Sequence, residues 1–133
     1  MRFGYLHYII KGQESQWAAE ASECAGEQGE ESFWAYHDKL FAVTASKPYP
    51  PFNKADLKQF AEEVGLEPQA FNACLDSGKF TSVVEIDTQI AQIMGFQSTP
   101  SFLINGNVLI GAQPFKVFGA YIDALLGKSQ KDP

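Results

Sequence analysis

Gly95-Phe96-Gln97-Ser98-Thr99-Pro100-Ser101-Phe102-Leu103-Ile104-Asn105-Gly106-Asn107-Val108-Leu109-Ile110-Gly111 holds, in order, a break, an X-Pro step, an apolar strand, a two-residue turn and a second apolar strand. Asn-Gly between two apolar runs is the strongest short-range hairpin signal, because both central residues of the favoured tight turn need positive φ. Pro100 stands at the mouth of the first strand, where its missing N–H costs least. Only about 5–6% of X-Pro bonds in folded proteins are cis, so the pattern alone reads Pro100 as a trans residue opening a strand.

Outward from the hairpin the chain reads as helices. Downstream, Pro114 opens a helix whose predicted buried face is Val117, Phe118, Tyr121, Ile122, Leu125 and Leu126, followed by a polar tail over 128–133. Immediately upstream, a helix from about Phe80 to Met94 carries the apolar stripe Val83, Ile86, Ile90, Ile93 and Met94, and Gly95 ends it. Before it, Pro68 suits the first turn of a short helix with Phe71, Cys74 and Leu75 inward. Asn53 caps another, with Leu57, Phe60, Ala61 and Val64 at i, i+3, i+4, i+7 and Gly65 at its end. The prolines of Ser46-Lys47-Pro48-Tyr49-Pro50-Pro51-Phe52 predict an extended connector. Two further helices precede it. One starts at Ser15 and turns Trp17, Ala18, Ala21, Cys24 and Ala25 inward, with Glu20 and Glu23 opposite. The next starts near Ser32 with Phe33, His37, Leu40, Phe41 and Thr44 on one face, His37 reading as a packing residue. Residues 3–10, apolar almost throughout, predict a strand buried on both faces. A strand cannot stand alone, and this one has no sequence neighbour to pair with.

The 133 residues suit one domain with a real core. An apolar content of 45%, with eleven Phe, excludes a disordered chain. The net charge of −6 argues against nucleic-acid partners, which require a basic face. No apolar run approaches the ~20 residues that span a bilayer. Met1 to Ile10 does not read as a signal peptide, because Lys11-Gly12-Gln13-Glu14 follows where a small-residue cleavage site belongs.

Chemistry is hard to find in the residues themselves. There is no Gly-x-Ser-x-Gly elbow, no phosphate-cradling glycine loop and no Cys-x-x-Cys. The pairs Glu30-Glu31 and Glu62-Glu63 read as solvated. Cys24 and Cys74 with His7 and His37 are too scattered for a metal set, and neither metal nor cofactor is expected. For the two cysteines two readings stay open: buried thiols packing as small hydrophobes, or one structural disulfide of an oxidising compartment.

Three segments carry a resemblance. Ala18-Ala19-Glu20-Ala21-Ser22-Glu23-Cys24-Ala25 followed by Phe33-Trp34-Ala35-Tyr36-His37-Asp38-Lys39-Leu40-Phe41 resembles the first insert helices of the DsbA-like thiol–disulfide oxidoreductases. Gly65-Leu66-Glu67 with Phe71-Asn72-Ala73-Cys74-Leu75 is similar to a later helix of that insert. Gly95 to Gly106 is similar to the family's cis-proline loop and hairpin. The resemblance implies an α/β, thioredoxin-like fold with an inserted helical domain, partial here because the N-terminal strand and catalytic helix are missing. It predicts a single domain over 1–133, with 1–12 and 95–127 as the thioredoxin-like part and 13–94 as helical insert and connecting helix.

By the same resemblance Thr99-Pro100 becomes cis. Ser98, Thr99 and Pro100 become a loop whose backbone pairs with an extended peptide substrate by strand addition. Cys24 and Cys74 match a non-catalytic pair that is bonded in some relatives, with Cα atoms within roughly 7 Å. No catalytic residue is assigned, since the family's Cys-x-x-Cys lies upstream of the position matched by Phe3. The chain therefore reads as the C-terminal portion of an extracytoplasmic protein thiol–disulfide oxidoreductase, inactive alone, although a cytoplasmic place stays open. Its missing strand should leave an apolar patch beside residues 3–10, and a homodimer through an exposed sheet edge is a further expected partner. Two alternatives remain: a non-enzymatic thioredoxin-like module that binds a peptide or partner, and a relative of the kappa-class glutathione transferases and chromene-carboxylate isomerases.

Overall fold

A computed structural model describes residues 1–46 and 52–127. The Pro-rich connector and the polar tail expected from the sequence therefore lie, for the most part, outside the described residues. The elements run α1 (Gln13–Gly26), α2 (Glu30–Ser46), α3 (Lys54–Glu63), α4 (Pro68–Ser77), α5 (Thr81–Ile93), β1 (Ser101–Ile104), β2 (Asn107–Ile110) and α6 (Phe115–Leu125). They divide into two compact units, Met1–Met94 and Gly95–Pro133.

The first unit is a helical block. Its core gathers Ala21, Cys24 and Ala25 of α1, Tyr36 and Leu40 of α2, Leu57 and Ala61 of α3, Leu66, and Phe71, Cys74 and Leu75 of α4. Tyr36 is wholly buried, stacks near Phe71 at 5.4 Å between ring centroids, and donates its hydroxyl proton to the Leu57 carbonyl at 2.9 Å. That bond satisfies a polar group that would otherwise be stranded among apolar neighbours. Of the predicted inner face of α2, Phe33, His37, Leu40, Phe41 and Thr44, only Leu40 is buried. Tyr36 is the other buried residue of the helix, and Phe41 is 60% exposed.

Helix boundaries follow local chemistry. The Asn53 side chain accepts the Asp56 amide at 2.9 Å, an N-cap contact. Glu67 does the same for Gln69 and Ala70 ahead of Pro68 at N1. Gly78 ends α4 in the left-handed region at φ 64°. Helix α1 starts two residues before Ser15, after Gly12, and has no side-chain cap. Glu20, expected on the solvent side, is buried and accepts from Gln16 Nε2 at 2.9 Å and Thr81 Oγ1 at 3.0 Å.

Two expectations fail for one connected reason. Residues 3–10 are not a strand. The sheet found among the described residues has two strands, β1 and β2, which pair with each other. With no ladder available, the amides of His7 and Ile9 donate to side chains of α5, Asp87 Oδ2 and Thr88 Oγ1, both at 3.1 Å. The face of α5 turned to the block is accordingly Val84, Asp87, Thr88 and Ala91, at helical spacing, with Val84 and Ala91 buried. The larger hydrophobes of the predicted stripe point elsewhere: Val83, Ile86, Ile90 and Ile93 are exposed, Ile93 to 85%. Phe3, Tyr5, Leu6 and Ile10 are exposed too.

In the second unit β1 and β2 form the antiparallel hairpin, in the register Ser101↔Ile110, Phe102↔Leu109, Leu103↔Val108 and Ile104↔Asn107. Asn105 at φ 48° and Gly106 at φ 84° supply the two positive angles the turn requires. Phe102 meets Phe118 of α6 edge-on, centroids 4.8 Å apart. No residue of α6 is fully buried, and Leu125 and Leu126 are exposed, contrary to the predicted face. Two four-residue strands offer an eleven-residue helix little surface to cover.

Candidate functional site

The Thr99–Pro100 peptide bond is cis. Ser98, Thr99 and Pro100 are all solvent-exposed at the entrance to β1. The loop is fixed from both ends: Ser101 Oγ donates to the Ser98 carbonyl at 2.7 Å, and the Gly111 amide donates to the Pro100 carbonyl at 2.8 Å. The second bond reads out the phase of the ladder, which the two-residue turn between Ile104 and Asn107 fixes. Hydrogen-bonded and non-bonded pairs alternate in antiparallel sheets. With Pro100–Gly111 bonded, Phe102 and Ile104 direct their backbone groups to β2. Ser101 and Leu103 direct theirs to the opposite edge of β1, which no strand among the described residues covers.

The faces of the hairpin divide just as sharply. Phe102 and Leu109 lie half-buried on the side of Phe118, while Leu103, Val108 and Ile110 expose about half of their surface on the other. From Gly95 to Phe115 the sequence contains no ionisable side chain. This site can therefore recognise a ligand through backbone hydrogen bonds, small hydroxyls and apolar contact, and not through charge. A depression of about 520 Å³ lies along α6, lined by Lys116, Val117, Ala120, Tyr121 and Ala124. Its lining includes none of Ser98, Thr99 and Pro100.

Cys24 of α1 and Cys74 of α4 form a disulfide, with S–S 2.03 Å and Cα atoms 5.8 Å apart, inside the expected limit. Both are buried, and no cysteine among the described residues is free. With both sulfurs bonded to each other, neither is a thiolate, the form that attacks a disulfide.

His37 packs among Tyr5, Trp34 and Phe41, its Nδ1 3.0 Å from Asp38 Oδ1, which agrees with a packing role. His7, weighed in the sequence only as a metal ligand, has a buried polar role that no sequence pattern showed. It is 6% exposed, with Nε2 2.9 Å from Glu23 Oε1 and its amide on Asp87. Glu23 was placed facing solvent, and no local pattern announces a partner sixteen residues away. Burial raises the pKa of Tyr5 in the same aromatic cluster, and burial raises that of Tyr36 further. Glu63 is held below the usual carboxylate range by hydrogen bonds from Lys39 and Gln59. Among the described residues no group of three or more His, Cys, Asp or Glu is placed to hold a metal, and no helix is long and apolar enough to cross a membrane.

Comparison with known proteins places this geometry. The family model described as Thioredoxin matches residues 1–124. Disulfide bond formation protein D of Bacillus subtilis is 30% identical over 112 residues, covering 82% of this chain and 50% of that protein. The Na(+)/H(+) antiporter NhaA of Herminiimonas arsenicoxydans is 33% identical over 107 residues, 80% of this chain but 16% of that protein. The crystal structure of oxidised BdbD from Bacillus subtilis superposes with a TM-score of 0.81 at 27% identity, covering 92% of this chain and 66% of that one. The chain spans about half the length of the disulfide-bond formation proteins it matches. With the family model spanning residues 1–124, the chain belongs to the thioredoxin family, and its likeness to disulfide bond formation protein D and BdbD makes it DsbA-like.

Proposed function

We propose that this chain carries the peptide-binding side of a protein thiol–disulfide oxidoreductase. Ser98, Thr99 and Pro100, with the open edge of β1, receive an extended polypeptide by strand addition. The observation that carries the reading is the backbone phase of the hairpin, seen in the Pro100–Gly111 bond, which turns the amides and carbonyls of Ser101 and Leu103 toward an edge that no strand among the described residues covers. The likeness to disulfide bond formation proteins supports the reaction class. A family whose members form protein disulfides works where disulfides persist, so the parent protein is assigned to an extracytoplasmic compartment. Cys24 and Cys74 serve as a structural pair in this reading, and the chain alone does not turn over.

Two measurements test the proposal. Titrating an isotopically labelled chain with an extended, uncharged peptide should perturb the Ser101 and Leu103 amides well beyond those of Phe102 and Ile104. Equal perturbation of all four would overturn strand addition. A dithiol-driven insulin-reduction assay should stay at background, and turnover abolished by Cys24→Ser would overturn the structural assignment of the pair.

A second reading, a non-enzymatic binding module, is favoured by the match within a much longer antiporter chain, where this stretch corresponds to 16% of the protein. Here the edge of β1 would hold a partner segment with no exchange chemistry. The two readings separate on a peptide that contains a disulfide. The first predicts that the bound peptide's disulfide is exchanged when a Cys-x-x-Cys thioredoxin-like segment is joined ahead of residue 1, and the second predicts binding with no exchange.

A further inference from the structure

The two sulfurs of the Cys24–Cys74 bond differ in what surrounds them. Both cysteines belong to the core cluster, and Cys24 is 2% exposed, with Ala21 and Ala25 of its own helix wholly buried. Cys74 is 7% exposed and lines a shallow groove of about 290 Å³ together with Glu27, Ala70, Ala73, Ser77 and Lys79. Cys24 is not part of that lining. Thiol–disulfide exchange proceeds by attack of a thiolate in line with the bond that breaks, so the attacker must reach the outer side of the sulfur it attacks. The groove meets the disulfide at Cys74 and not at Cys24. Its charged rim is the ion pair of Lys79 with Glu27, and both side chains are more than a third exposed.

We propose that Cys74 is the sulfur at which a low-molecular-weight thiol enters this disulfide, which makes Cys74 a site of mixed-disulfide modification. An external thiolate attacks Cys74 Sγ; a new bond forms between the two sulfurs as the Cys24–Cys74 bond breaks. Cys24 departs with the electron pair and takes a proton from water. A second equivalent of the thiol then attacks its own bound counterpart, releasing the symmetrical small disulfide and leaving Cys74 as a thiol. The small thiol is oxidised and the protein disulfide reduced, two electrons in all. This assignment stands apart from the reading of the β1 edge and does not depend on it.

The test uses the full chain and glutathione. Brief incubation with excess glutathione, acid quenching and peptide mass mapping should find the adduct on the peptide containing Cys74, at least tenfold over that containing Cys24. Adduct on Cys24, equal labelling of both, or no adduct before global unfolding would each overturn the proposal. Ala73→Leu, an exposed groove position, should cut the rate of adduct formation severalfold while helical content stays unchanged. An unchanged rate would remove the groove from the argument. In Cys24→Ser the remaining thiol should react with glutathione disulfide in the folded state, whereas in Cys74→Ser the remaining thiol should react only in denaturant. If either variant fails to fold, the adduct position in the unaltered chain decides alone.

Discussion

Tyr36 shows how one side chain fixes a core. Its ring is buried against Phe71 and its hydroxyl is spent on the Leu57 carbonyl, tying α2 to α3 through a single atom. Replacing it with phenylalanine should cost about 1 kcal/mol in denaturant unfolding, the net value of one hydrogen bond. Phe71→Ala opens a cavity in the same place and should cost about 3–5 kcal/mol. Burial raises the Tyr36 pKa above its ordinary value of 10.0. The neutral phenol is therefore favoured in the folded state, and its contribution is fully present below pH 10 and falls as pH climbs beyond it. Alkaline titration should show one tyrosine ionising only with unfolding, and Tyr36→Phe should abolish that step. Tyr36 was present in the sequence only as a member of a helical run. Its neighbours Phe33, His37 and Phe41 are equally bulky and recur more regularly, so residue size could not reveal which face turned inward.

At the scale of elements, legibility depended on whether a signal was local. The Asn53 cap, Pro68 at N1 and the Asn105-Gly106 turn each act within four residues of themselves, and each is readable. The inner face of α5 was not. Its contacts are made by Asp87 and Thr88, whose task is to receive backbone amides from about eighty residues earlier. Periodicity counts hydrophobes and has no means of seeing that. The disulfide is likewise non-local, with a separation of 50, and was reached by resemblance and not by pattern. Closing a loop of that length should stabilise the helical block by roughly 3–4 kcal/mol in the chain-entropy picture. Unfolding of Cys24→Ala/Cys74→Ala against the oxidised chain measures this directly, and a loss below 1 kcal/mol would mean that the packed core already does the work. Gly106→Val places a β-branched residue at φ 84° and should weaken the hairpin while leaving the helical block intact.

For the molecule as a whole, charge distribution separates two kinds of behaviour. Ion pairs such as Lys39–Glu63 and Lys58–Asp76 occur in the helical block, whereas Gly95 to Phe115 has no ionisable group. Peptide binding at the β1 edge should accordingly change less than twofold between 50 and 500 mM salt, since screening acts only on charges. A steep salt dependence in calorimetric titration would place the binding surface elsewhere. The family was legible from segments spread across the chain, because insert helices and hairpin agree on one fold. The candidate site was legible only in its position. Which backbone groups of β1 point away from β2 follows from the two-residue Asn105-Gly106 turn; what no residue type encodes is that this edge has no neighbouring strand among the described residues.

The clamp between residues 7–9 and α5 also has a consequence in time. The acceptors for the His7 and Ile9 amides are Asp87 and Thr88, among the last residues of the block to be synthesised. The segment ahead of α1 can meet α1 and α2 earlier, through His7 with Glu23 and Tyr5 with Trp34, but the His7 and Ile9 amides find these acceptors only once α5 has formed. Local helices assemble in microseconds, while contacts across some eighty residues are delayed by the entropy of closing so long a loop. Fastening of these two amides to α5 is thus a late event in the folding of this unit. In pulse-labelled amide exchange during refolding, His7 and Ile9 should gain protection after the amides of α1 to α4.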